Sequence, residues 1–280
     1  MELLHTIADL RNHLDVHRRV GKSIGFVPTM GALHEGHLSL IAASKAQNDL
    51  TVCSIFVNPI QFNNPADLAR YPRTLEADCA MLAAAGCDVV FAPTAEEMYP
   101  TASVLKFDFG FLERVMEGAF RPGHFNGVGI VVSKLFNIVQ PHRTYFGQKD
   151  LQQVAIVRQM MQDLSFPIEF YACATLREAD GLAMSSRNRN LTPDERPLAA
   201  HLYKSLMQAK EQLVEGASSE QVKVKAKQYF EAIPAITLEY FEVVDAHTLE
   251  AVEGWQDENR TAICVAAYLG KVRLIDNVVF

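Results

Sequence analysis

The sequence predicts an α/β protein, a Rossmann-like parallel-sheet domain followed by a smaller α+β domain. Two patterns carry that prediction. Through the first 175 residues, short runs rich in Val, Ile, Phe and Tyr alternate with segments of helical period, as a parallel sheet with helices on both faces requires. After Arg189 the alternation stops, and two helical stretches are followed by three strand-like ones. A chain of 280 residues is long enough for two ordinary domains, each with its own core.

Taken in order, Ile24 to Pro28 reads as the first strand and His37 to Asn48 as a helix. Thr51 to Val57 is a buried strand, Thr74 to Ala85 a helix, Asp88 to Ala92 a strand and Asn126 to Val139 an apolar helix. Thr144 to Phe146 forms a strand core, Leu151 to Asp163 a helix, and Ile168 to Thr175 closes the series. Pro193 to Gly216 and Ser218 to Ala232 then read as helices, with Thr237 to Ala246, Thr261 to Leu269 and Val272 to Ile275 as an antiparallel layer. The polar stretch READGLAMSSRNRN places the boundary near residue 176, giving domains 1–175 and 176–280.

Composition excludes several classes. Hydrophobic residues at 49% and charged ones at 21% are globular proportions, and apolar runs such as Ile263 to Leu269 are too short to span a bilayer, so no membrane partner is expected. The start, MELLHTIADLRNHLDVHRRV, lacks the continuous apolar stretch of an export signal. Five widely spaced cysteines without a CxxC pair suggest neither a disulfide framework nor a zinc knuckle, and point to a reducing cytoplasm. A net charge of −7 opposes an extended nucleic-acid surface, though local basic residues can still hold a phosphorylated small molecule.

The stretch FVPTMGALHEGH raises three readings for His34 and His37. They are ordinary polar residues of a helix starting near Gly36, or metal ligands, or imidazoles meeting an anion at a helix N-terminus, where backbone N–H groups attract phosphate. The metal reading is weak because H-E-x-x-H has one more residue between its histidines. Strand-to-helix placement puts Thr29 to His37 over the sheet's carboxyl edge, where nucleotides bind in such folds. No dinucleotide G-x-G-x-x-G occupies that position, and the GVGIVV run at Gly127 has no strand before it. A P-loop is absent because Val16 stands where the leading glycine belongs before Gly21-Lys22-Ser23. Gly21 to Gly25 spells G-x-S-x-G but precedes a strand instead of following one, so Ser23 is a turn residue.

Two further stretches are candidates. GQKD, Gly147 to Asp150, sits where a strand passes into a helix, with a glycine turn and Asp150 as a candidate N-cap, and Lys149 facing the same edge as His37. MSSRN, Met184 to Asn188, lies just past the domain boundary, where a loop can close over a phosphate.

These stretches resemble the pantothenate synthetase family of the nucleotidyltransferase superfamily with HIGH-like and KMSKS-like motifs. PTMGALHEGH, FVNPIQF, YPRT, GHFNGV, FGQKDLQQ, READGLAMSSRN and RLIDN match it in order and spacing over essentially the whole chain. The resemblance implies that ATP and Mg2+, the metal bound mainly through the ATP phosphates and no residue assigned as its ligand, drive the joining of pantoate and β-alanine through pantoyl adenylate, with release of AMP and pyrophosphate. It implies that domain 1–175 binds ATP and pantoate and that domain 176–280 closes over the site. Met30, Gly31, Ala32, Leu33, His34, Glu35, Gly36 and His37 then resemble the ATP-binding turn, with His34 and His37 on the phosphates and His37 as the main donor. Gly147, Gln148, Lys149 and Asp150 resemble the second nucleotide wall, Lys149 neutralising phosphate and Asp150 holding a ribose hydroxyl or orienting the loop; the family usually has Glu where Gln148 stands. Met184, Ser185, Ser186 and Arg187 resemble the closing segment on the pyrophosphate end, and Leu176 touches adenine through its backbone. Gln61 and Gln153 resemble pantoate binders, supported by Asn58. Family likeness also implies a homodimer. Related adenylyltransferases with shorter one-domain chains, and a non-catalytic nucleotide sensor on the same fold, are the competing readings.

Overall fold

The computed structural model describes all residues, Met1–Phe280. Its chain divides into two compact units, one of Met1–Gln148 with Ile156–Ala174, the other of Lys149–Ala155 with Thr175–Phe280.

In the first unit, β1 (Glu2–Leu4) is followed by α1 (Ile7–Arg19), β2 (Ile24–Thr29), α2 (Glu35–Gln47), β3 (Leu50–Ile55), α3 (Pro65–Arg70), α4 (Leu75–Ala84) and β4 (Val89–Phe91). Short helices α5 (Ala95–Met98) and α6 (Met116–Phe120) lead to α7 (His124–Val139) and β5 (Arg143–Gly147). A 3-10 turn, Gln148–Asp150, runs directly into α8 (Leu151–Asp163), and β6 (Glu169–Cys173) completes the sheet. The strands lie in the order β1-β4-β3-β2-β5-β6, and every pairing is parallel. The α/β class expected from the sequence is the one observed. Central strands are buried along nearly their whole length, which is why they read as continuous apolar runs instead of alternating ones.

The topology switches direction between β2 and β5. Pairing of β2 with β3 continues to Thr29 against Ile55, whereas β2 meets β5 only at Gly25 and Phe26. Pro28, which has no N–H to donate, lies beyond that short β5 contact, so its presence in a central strand breaks no ladder on that side. At such a switch point the carboxyl ends of the strands diverge and leave a crevice for ligand.

Helix α7 is buried along most of its length, with Asn126, Lys134 and Asn137 as its less buried positions. Its GVGIVV run is explained by packing. A Cβ on Gly127 would sit 2.5 Å from the Ile60 carbonyl oxygen and 2.6 Å from Gln61 Cα, so only glycine lets the helix approach the 3-10 turn Pro59–Gln61.

The second unit packs α10 (Ala200–Val214) and α11 (Ser219–Glu231) on an antiparallel sheet of β7 (Ile236–Asp245), β8 (Thr261–Leu269) and β9 (Val272–Val279), preceded by the one-turn α9 (Glu195–Leu198). Leu202, Leu206, Leu213, Phe230, Val243 and Val265 are among its buried core.

Several boundaries differ from the sequence expectation. Ile24–Thr29 is the second strand, because Glu2–Leu4 already pairs beside β4 at the sheet edge. A three-residue strand shows too little periodicity to be read. The stretch Pro193 to Gly216 is two helices meeting at Ala199, and Pro197 removes a backbone donor just before the break. Helix α2 begins at Glu35 with His34 as its N-cap, and Asp150 lies inside a 3-10 turn continuous with α8 instead of at a helix cap. β9 runs four residues past Ile275, because Asp276 and Asn277 keep their place in the ladder opposite Val265 and Cys264. No helix is long and apolar enough to cross a membrane.

At the end of β7, Asp245 accepts the His247 and Thr248 N–H groups at 2.8 and 3.0 Å and the Arg260 guanidinium at 2.6 Å. Burial pushes its pKa up, but these donors outweigh that and hold it at about 2. A carboxyl depressed in the folded state stabilises the fold above its unfolded pKa of about 4 and loses that contribution as pH falls toward about 2. Urea titrations across that window should show stability falling with acid in the wild type and a shallower slope in Asp245→Asn.

Candidate active site

The turn after β2 is where the two histidines sit, and its backbone is forced. Gly31 has φ of 79° and Ala32 φ of 52°, both left-handed, and a Cβ on Gly31 would lie 3.0 Å from Asp78 Oδ2. Asp78, on α4 and 2% exposed, accepts the Leu33 N–H at Oδ1 (2.8 Å) and the Ala32 N–H at Oδ2 (3.0 Å). Thr74 donates its hydroxyl to the same Oδ2 at 3.1 Å. A buried carboxylate thus takes the backbone donors that the turn turns inward.

His34 caps α2 with its ring: Gly36 N–H donates to His34 Nδ1 at 3.1 Å, and His34 N–H donates to His37 Nδ1 at 3.3 Å. The two rings lie 4.2 Å apart. An Nδ1 that accepts a backbone N–H holds a lone pair, so in the neutral rings the proton is on Nε2. This refines the expectation of an anion held by free backbone N–H groups. The N–H groups of Ala32, Leu33, His34 and Gly36 are already engaged inside the turn.

Beside this turn, within the same unit, lies a buried amide cluster. Asn58 is fully buried and Gln61 is 6% exposed. Asn58 Nδ2 donates to Gln61 Oε1 and to the Gly127 carbonyl, each at 3.1 Å. Gln61 Nε2 meets Met30 Sδ at 2.9 Å, which joins the amide cluster to the histidine turn. Tyr99 donates its hydroxyl to Asn58 Oδ1 at 2.9 Å, and His124 Nδ1–H donates to the Gln61 carbonyl at 2.8 Å. Burial pushes the Tyr99 phenol well above its usual range, so it acts as a neutral donor. Sequence reading missed Asp78, Tyr99 and His124 as parts of the site. His124 stands in the GHFNGV motif, but nothing local says that this motif meets FVNPIQF, since Asn58 and Gly127 are 69 residues apart in the chain.

In the second unit, Lys149 is half-buried, Asp150 is exposed, and Gln153 is half-buried between Leu151 and Val154, both buried. Leu176 is an exposed apolar side chain whose carbonyl receives the Met184 N–H at 3.0 Å. That bond, and the one from Glu178 N–H to the Leu182 carbonyl at 2.8 Å, close a narrow hairpin around Gly181. Ser185 follows it as N-cap of the 3-10 turn Ser186–Asn190, accepting the Arg187 N–H at 3.2 Å, while the Arg187 side chain is exposed. Asn188 Nδ2 ties the turn back to the hairpin through Glu178 Oε1 and the Ala183 carbonyl. Lys149, Ser185, Arg187 and Asn188 line one groove of this unit together with Arg273 and Leu274. Nowhere does the chain gather three or more His, Cys, Asp or Glu side chains into a possible metal cluster.

The sequence profile of the pantoate–β-alanine ligase family matches residues 2–279. A pantothenate synthetase of Cytophaga hutchinsonii is 50% identical over 275 residues, 98% of this chain and 97% of that one. One from Moorella thermoacetica is 50% identical over 280 residues, 100% of this chain and 98% of that one. Among solved structures, a pantothenate synthetase from Thermus thermophilus superposes with a TM-score of 0.90 at 42% identity, covering 99% of both chains. A pantoate–β-alanine ligase from Francisella tularensis, determined with β-γ ATP and β-alanine, superposes with a TM-score of 0.82 at 35% identity over 100% of this chain and 97% of that one. The unbroken agreement from the first strand to the last means that this chain belongs to the pantoate–β-alanine ligase family.

Proposed function

We propose that the chain joins pantoate and β-alanine in two steps, activating pantoate with ATP as an enzyme-bound pantoyl adenylate and then transferring the acyl group to the amine. The observation that carries this reading is the histidine pair at the topological switch point, both rings oriented by backbone N–H groups so that Nε2–H is the donor. The relative from Francisella tularensis, determined with β-γ ATP and β-alanine, supports the same pair of substrates here.

Chemistry dictates the two steps. A carboxylate is a poor acylating agent. Its oxygen therefore attacks the α-phosphorus of ATP, pyrophosphate leaves, and the mixed anhydride that results has AMP as a good leaving group. The free amine of β-alanine then attacks the carbonyl carbon, the C–O bond to AMP breaks, and the amine proton is lost to solvent. The protein positions the reactants and stabilises charge that grows on phosphoryl oxygens. His37, with His34, donates to the phosphates from Nε2, and Lys149 offsets phosphate charge. Gly147 and Gln148 form the backbone of the same wall, and Asp150 serves the ribose or the loop. Leu176 lies against adenine, while Met184, Ser185, Ser186 and Arg187 act on the pyrophosphate. Gln61 and Gln153 hold the pantoate hydroxyls and carboxylate, and Asn58 fixes the Gln61 amide.

Mg2+ supplies charge neutralisation when it is bound on the ATP phosphates. Asp78 is no ligand for it in this reading, since three protein donors already occupy its carboxylate. Cysteines that form no disulfide accord with a cytoplasmic enzyme, and family likeness supports a homodimer.

Label should exchange between pyrophosphate and ATP when pantoate and Mg2+ are present and β-alanine is absent; exchange that strictly needs β-alanine would sink the two-step reading, and no exchange at all would favour a nucleotide sensor. His37→Ala and Lys149→Ala should each slow that exchange by roughly 10²-fold or more, the usual effect of losing one transition-state donor, with circular dichroism unchanged. Gln61→Ala and Gln153→Ala should raise the pantoate KM much more than the ATP KM in steady-state assays. Equal effects on both substrates would remove these residues from pantoate recognition.

A further inference from the structure

The RLIDN stretch ends in two polar residues that the reaction scheme leaves without a role. Within the second unit, they occupy a distinctive position. Asp276 is 2% and Asn277 4% exposed, both on β9 where the sequence reads as the end of a strand. Asp276 accepts both arms of the Arg177 guanidinium, at 2.6 and 3.1 Å. Arg177 also donates to the Asn277 carbonyl at 2.9 Å and the Gly181 carbonyl at 3.0 Å, and its guanidinium lies 4.1 Å from the centre of the Tyr203 ring. Both terminal nitrogens of that cation and one of its faces are engaged, which holds it in one orientation. Asn277 uses its side-chain amide for something else: Nδ2 donates to the backbone carbonyl of Lys149 at 2.8 Å. Asp276 fixes the strand at that point by accepting the Asn277 N–H at 2.7 Å.

One buried pair therefore fastens two segments. Arg177 opens the hairpin that leads to Ser185–Arg187, and Asn277 grips the peptide of Lys149. We propose that Asn277, anchored by the Asp276–Arg177 pair, is a positioning residue that fixes Lys149 opposite the Ser185–Arg187 segment across their shared groove. The inference rests on the reading that Lys149 faces the ATP phosphates. A lysine on a flexible four-carbon stem can neutralise phosphate from many positions, but it lowers a barrier only when its Cα is held in one of them.

The test is a double-mutant cycle read by pantoate-dependent exchange of label between pyrophosphate and ATP. Asn277→Ala should slow exchange about tenfold or more and raise the ATP KM, with the pantoate KM unchanged. Asn277→Leu keeps the shape of the side chain without its donor, and should reproduce the effect with a melting temperature close to that of the wild type. In a Lys149→Ala background, either substitution should change the rate less than about twofold, because the group being positioned is gone. Additive losses would assign Asn277 a purely structural role and overturn the proposal, as would normal exchange in Asn277→Leu beside slow exchange in Lys149→Ala. Normal exchange in Lys149→Ala itself would overturn the reading of Lys149 and this inference with it.

Discussion

The histidine turn is organised around one buried carboxylate. A chain leaving β2 must reverse within a few residues to enter α2, and it does so through two left-handed positions, Gly31 and Ala32. That conformation aims the N–H groups of Ala32 and Leu33 inward, away from water. Asp78 accepts both, and Thr74 supplies a third donor that helps offset the burial of the carboxylate. If Asp78 were absent, the turn would lose the acceptor of both N–H groups, a different turn would be favoured, and the rings of His34 and His37 would lose the backbone that orients them. The YPRT-to-α4 segment thereby supports the histidine turn.

Orientation of polar groups by other polar groups recurs throughout the first unit. Each histidine ring is fixed by a backbone N–H, the Gln61 amide by Asn58 and Met30, and the Asn58 amide by Tyr99 and the Gly127 carbonyl. Such a network, with few alternative pairings, leaves these side chains little rotamer freedom. It also explains two glycines by close approach: Gly31 faces Asp78, and Gly127 faces the turn that carries Gln61.

The second unit reaches the same end with charge. The Arg177–Asp276 pair is buried, and burying two charges has a desolvation cost that attraction alone often fails to offset. What such a pair provides is a single allowed arrangement, since breaking it would strand a charge. Its position between the hairpin and β9 is consistent with selection for geometry over stability.

Local sequence was enough for the α/β class, for most strands and helices to within a few residues, and for the motif segments that carry the candidate residues. Apolar runs and 3.6-residue periods are short-range signals, and catalytic motifs cluster where strands end. Other features depend on partners far away in the chain. That Asp276 and Asn277 remain in a strand is decided by Arg177 and Lys149, which satisfy polar groups that by themselves read as a strand end. That Asp78 belongs to the histidine turn, and Tyr99 and His124 to the Gln61 cluster, is decided by packing across tens of residues. Even the protonated nitrogen of the neutral histidines is fixed only once the turn has folded. The sequence names two imidazoles, but only the folded turn, by directing backbone N–H groups at Nδ1, assigns the proton to Nε2.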